Sequence, residues 1–129
     1  MVWKASAAMR SALDAVIAER QRQDAKWGEQ NHPLVCHPFF DEPNREVLLQ
    51  ILRADLSLDA TIAKRRCDAA HRHGHGTYTH ILVEEVAEFV EACVLHGDAS
   101  DEARAEMVQV AAVALAMLEA IDRKRAKVT

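Results

Sequence analysis

Cysteine, glycine, proline and aromatic side chains are all scarce in this chain, and each shortage removes a class of protein. Four Gly and three Pro among 129 residues leave few of the turn-formers that a strand-rich fold consumes. Three cysteines (Cys36, Cys67, Cys93) form no close pair and leave an odd one, which argues against a disulfide framework and for reduced thiols. No excess of basic charge exists: the formal net charge is −4, so no surface invites nucleic acid. The longest apolar run, Val110 to Leu118, is far too short to span a bilayer. The N-terminal stretch carries no apolar core of a signal peptide. The expectation is one soluble cytoplasmic domain over residues 1–129, with neither nucleic acid nor membrane as a partner.

What remains is a helical vocabulary. Half of the residues are hydrophobic, enough for a core, and Ala, Leu, Val, Glu and Arg dominate. A first helix is predicted from about Ser6 to Lys26, with Met9, Leu13, Val16, Ile17 and Arg20 at helical spacing and Gly28 as its stop. A polar loop with prolines follows, from Glu29 to Phe40, and Asp41-Glu42-Pro43 reads as a helix start. Val47, Ile51, Ala54, Leu58 and Ile62 then form a stripe that runs to about Cys67, as one helix or two. His71 to Thr79 is a Gly- and His-rich break, with Thr79 as the N-cap of a helix that continues to about His96 and is stopped by Gly97. Ser100 or Asp101 caps a last helix to about Arg125. Short connections imply antiparallel neighbours, so the architecture expected is all-α and four-helix-bundle-like.

Two acidic clusters stand out on the last two helices: Glu84-Glu85-Val86-Ala87-Glu88 and Glu106-Met107-Val108-Gln109. Residues three apart share a helix face, so each cluster presents its polar groups together. On a helical wheel Glu85 and Glu88 flank Ile81, Ala92 and Leu95, beside the apolar stripe and not opposite it. Glu106 and Gln109 share a face with Val113, Ala116 and Ala120. No Lys or Arg occurs between Arg72 and Arg104, so the first cluster has no cation on its own helix. Two carboxylates about 5 Å apart repel by roughly 3 kcal/mol at an effective dielectric near 20. Gathered carboxylates raise one another's pKa or take up a cation, and Mg²⁺ is the hard ion that suits them. A run of Glu on one helix is ordinarily a solvated face; two runs at matched spacing on apolar helices are harder to explain that way.

These residues resemble the signature of the MazG-like nucleoside triphosphate pyrophosphohydrolases, an all-α superfamily with E-E-x-x-E followed by E-x-x-D on the next helix. Glu84-Glu85-Val86-Ala87-Glu88 matches the first half and Glu106-Met107-Val108-Gln109 the second. Residues 19–30, ERQRQDAKWGEQ, and 115–123, LAMLEAIDR, are also similar to a branch of that family. The likeness covers about 19–31 and 66–125 and leaves His32 to Arg65 unmatched. It implies hydrolysis of an NTP or dNTP to the monophosphate and pyrophosphate, with Mg²⁺ (or Mn²⁺) as cofactor. It implies a metal shell of Glu85, Glu88, Glu106 and Gln109, Glu84 positioning or deprotonating the attacking water or joining that shell, and assembly as a homodimer or homotetramer. The Ala/Val/Leu-rich last helix, apolar on every side, also favours an oligomer. Gln109 departs from the pattern: an amide oxygen stands where the signature has Asp, and supplies no negative charge.

Other features compete for a role. Trp27, with Lys26 beside it, is the candidate for holding the base, although a Trp at a helix end is also an ordinary packing anchor. Lys64-Arg65-Arg66 or Arg123-Lys124-Arg125 offers charge for a triphosphate tail, or simply complements a helix dipole. Cys67, His71, His73 and His75, with Cys36-His37, suggest zinc, but no C-x-x-C exists and the loop is Gly-rich. His80 shares a face with Glu84 and Glu88, yet the paired E-x-x-H of a di-iron bundle is missing. The alternative to an enzyme is a weak or inactive MazG-like module that binds nucleotide or a partner protein. A zinc-stapled regulator is a third reading.

Overall fold

The computed structural model describes residues 3–35 and 42–128. Among them are five α-helices and no strand: α1 Ala7–Trp27, α2 Arg45–Leu56, α3 Ala60–Arg72, α4 Tyr78–His96 and α5 Asp101–Val128. The chain is all-α, as its composition implies. No helix among the described residues is long and apolar enough to cross a membrane. Two compact units are formed, one from Met1–His32 with Ala114–Thr129 and the other from Pro33–Val113.

In the first unit, Ser6 caps α1 by accepting from the Met9 amide at 3.1 Å. Gly28 ends that helix at φ 69°, its N–H reaching the Asp24 carbonyl at 2.8 Å. Ala12 is buried, but Leu13, Val16 and Ile17 are 41–46% exposed and form a bare apolar stripe.

The second unit carries the acidic clusters. The single stripe predicted up to Cys67 is two helices. Ser57 takes a left-handed conformation (φ 54°) and ends α2, and Asp59 restarts the chain by accepting from the Thr61 and Ile62 amides at 3.0 and 3.1 Å. Asn44 caps α2, one residue after Pro43; Asp41 lies outside the described residues. The cap of α4 is Thr77 and not Thr79. His80 returns to the Thr77 backbone N–H at 3.2 Å, so a histidine completes a box usually closed by Glu or Gln. Gly97 ends α4 and Ser100 caps α5, accepting from the Ala103 amide at 3.0 Å.

Packing in this unit is graded by side-chain size. Ala60 and Ala63 of α3 meet Ala87 of α4, and the absence of bulk lets the two helix backbones approach closely. Leu49 and Leu52 of α2 pack on Val94. Ala103 and Val110 of α5 join Phe89, Val90, Ala92 and Cys93, which closes the α4–α5 hairpin. Arg45 donates to the Val94 and Leu95 carbonyls at 3.2 and 2.6 Å, tying the start of α2 to the end of α4.

Candidate metal centre

The α4–α5 hairpin brings Glu85, Glu88 and Glu106 together. One carboxylate oxygen from each lies within 4.8 Å of the other two, the only such group of three ligands found among the described residues. Each of the three is half-buried. Their register follows from the folding signals above: one helical turn separates Glu85 from Glu88, and the four-residue turn after His96 returns α5 alongside them.

Charge is distributed unevenly over α4. Glu91 is held by the Arg53 guanidinium from α2, which also lies 3.7 Å from Asp59. Glu84 has Lys64 of α3 at 4.0 Å. Glu85, Glu88 and Glu106 have no cation within ion-pairing distance among the described residues. Among the described residues, Oε2 of Glu85, Oε2 of Glu106 and Nε of Arg53 are buried with no hydrogen-bond partner; Arg53 Nε has Asp59 at 3.7 Å, whereas the two oxygens have no cation. A lone pair withdrawn from water without a donor costs on the order of 1–3 kcal/mol, and such orphans in native folds need a reason.

Glu85 and Glu88 respond as members of a repelling group should. Glu88 is pushed up to about 7, first by burial and then by the charges of Glu85, Glu106 and Glu84. Glu85 is raised by burial, then by Glu106 and Glu84. Near neutrality Glu88 is therefore only partly ionised, and a divalent cation beside it would favour the charged form. Mg²⁺–oxygen bonds of about 2.0–2.1 Å place ligands of one ion at most about 4 Å apart, so 4.8 Å calls for a small inward turn of the side chains or a pair of ions. The donor set is all oxygen, half-buried and electrostatically unsatisfied, which fits a hard divalent ion.

The remaining candidates fall elsewhere. Gln109, one turn beyond Glu106, is exposed. Trp27 is 51% exposed on α1, in the first unit, with the Lys26 ammonium 4.7 Å from its ring centroid. The zinc ligands do not assemble among the described residues: His71 donates from Nδ1 to the Cys67 carbonyl at 2.9 Å, His73 stacks on His75, and Cys36 and His37 lie outside the described residues. The Cys67 thiol is raised by burial, then by Glu84, which makes it a poor thiolate ligand. His80 serves the α4 cap. A cavity of about 640 Å³ lies between the end of α2, α3 and the start of α4, lined by Arg53, Leu58, Ile62, Arg66, His80 and Val83 and by none of the clustered acids. A second, about 400 Å³, is lined by Lys64, Arg65, Glu88 and Glu91 among others.

No family model, no curated protein and no solved structure matches this chain.

Proposed function

We propose that this chain is a Mg²⁺-dependent nucleoside triphosphate pyrophosphohydrolase of the MazG-like kind, with Glu85, Glu88 and Glu106 as the metal shell. The observation that carries the proposal is the pair of orphaned buried oxygens on Glu85 and Glu106, within a carboxylate trio whose neighbours Glu84 and Glu91 are supplied with cations. The two-part acidic signature supplies the reaction class. Mg²⁺ bound there would screen phosphate charge and acidify water. Glu84, one turn from Glu88 and 4.0 Å from the Lys64 ammonium, would orient a water and accept its proton. A bond forms from that water oxygen to the α-phosphorus as the bridging bond to the β-phosphate breaks, giving the monophosphate and pyrophosphate. The bare stripe of Leu13, Val16 and Ile17 supports a homodimer or homotetramer.

A non-catalytic nucleotide- or protein-binding module is the second reading, favoured by the exposed Gln109 where the signature has Asp. The test is pyrophosphate release from a panel of NTPs and dNTPs with Mg²⁺ or Mn²⁺, on protein whose mass is read by sedimentation. Turnover should fall at least about 100-fold in Glu85→Ala and in Glu106→Ala. Nucleotide binding without release on any substrate would favour the module.

A further inference from the structure

The smaller cavity, about 400 Å³, has Ala60, Thr61, Lys64, Arg65 and Asp68 of α3 on one wall and Glu88 and Glu91 of α4 on the other. Its charges are mostly spoken for. Glu91 is held by Arg53, and Asp68 lies 3.6 Å from Lys64. Two charges stay unmatched among the described residues: the Arg65 guanidinium and the Glu88 carboxyl. They line one hollow without an ion pair between them, and Lys64, which lines it too, lies 4.0 Å from Glu84. An occupant that satisfies both ends carries a divalent cation towards Glu88 and anionic oxygens towards α3. That describes a magnesium polyphosphate.

We infer that Arg65, with Lys64, is the polyphosphate grip of the site, binding the phosphates beyond the bond that breaks. The inference rests on the hydrolase reading and adds a substrate rule to it: triphosphates are preferred over diphosphates, and the released pyrophosphate inhibits. A planar guanidinium can hold two phosphate oxygens at once, which an ammonium cannot. Neither residue falls in a segment that the family likeness covers. Arg66, next in sequence, turns to the larger cavity instead, so α3 divides its three adjacent cations between two faces.

Both side chains are exposed, so truncating them should leave the fold intact. The decisive measurement is calorimetric binding of inorganic pyrophosphate in the presence of Mg²⁺, which needs no turnover. Arg65→Ala should weaken it about tenfold or more, Arg65→Lys should recover part of the loss, and Lys64→Ala should fall between. In turnover, Arg65→Ala should raise KM for the triphosphate by a similar factor with little change in kcat, and should narrow the preference over diphosphates. Pyrophosphate binding that is absent in the wild type, or equal in wild type, Arg65→Ala and Lys64→Ala, overturns the grip. Absent turnover with Arg65-dependent pyrophosphate binding keeps the grip and sinks the hydrolase reading alone.

Discussion

The two flanks of α4 handle the same residue type in opposite ways. Towards α2 and α3, Glu91 and Glu84 meet Arg53 and Lys64, and their charge is answered within the fold. Towards α5, Glu85 and Glu88 meet another glutamate, Glu106, and two buried oxygens there have no partner. On the first flank the cations tie the acids of α4 to α2 and α3. On the second flank the acids work against folding, since bringing carboxylates together out of water raises the free energy of the ion-free state. An arrangement that costs stability and persists is where binding function concentrates. The contrast within one helix is more informative than the acidic count, because it separates glutamates whose charge has a cation partner from glutamates gathered against one another.

The sharpest way to break that contrast is to truncate a cation on the answered flank. Arg53→Ala strips the partner from Glu91, which is only 24% exposed, and loosens the hold on Asp59 at the start of α3. A loss of about 2–3 kcal/mol in unfolding free energy is expected, read by urea denaturation. A change within experimental scatter would mean that the pair is as idle as a surface ion pair, and the contrast would lapse.

Removing a charge from the unanswered flank should do the reverse. Burial and its like-charged neighbours raise Glu88 to about 7 in the folded protein, against an ordinary 4.5. A raised carboxyl stabilises the fold fully below the unfolded value, and that contribution is lost as pH climbs through the folded value. Metal-free protein should therefore lose roughly 1–2 kcal/mol between pH 5 and pH 8, after allowance for solvent screening. Glu88→Gln should flatten the dependence, and Mg²⁺ should restore Tm to the wild type at pH 8 but much less at pH 5. Parallel pH curves for wild type and Glu88→Gln, with no Mg²⁺ effect, would remove the electrostatic basis of the site.

How much of this could be read beforehand follows from the range of the interactions. Local signals were legible: Ser6, Gly28, Gly97 and Ser100 bound their helices as expected, and spacing alone placed Glu85 and Glu88 on one face. The break after Leu56 was not, because Ser57 adopts its left-handed conformation without the Gly or Pro that would have marked it; Asp59, an N-cap residue type, was the only hint. Thr79 was read as the cap of α4, but Thr77 holds it because His80 closes the box there, and histidine is an unusual partner in that role. The cations for Glu84 and Glu91 come from Lys64 and Arg53, 20 and 38 positions away, so no search along α4 finds them. The sequence showed that α4 carries no Lys or Arg of its own; among the described residues, other helices supply cations to Glu84 and Glu91 but not to Glu85 or Glu88.

The finest adjustment concerns the one position where the acidic pattern is incomplete. Gln109 lies one turn after Glu106 and is exposed, so its side chain keeps most of its freedom and its hydration. An amide oxygen can join an oxygen shell but brings no net charge, whereas a carboxylate at the same spacing adds attraction for Mg²⁺ and further repulsion in its absence. Gln109→Asp should therefore tighten Mg²⁺ binding a few-fold, about 1 kcal/mol, while lowering metal-free stability by less than that because solvent screens an exposed charge. Titration calorimetry and paired melting curves with and without Mg²⁺ read both quantities. Weaker Mg²⁺ binding in Gln109→Asp would place position 109 outside the shell and leave Glu85, Glu88 and Glu106 to hold the ion without it.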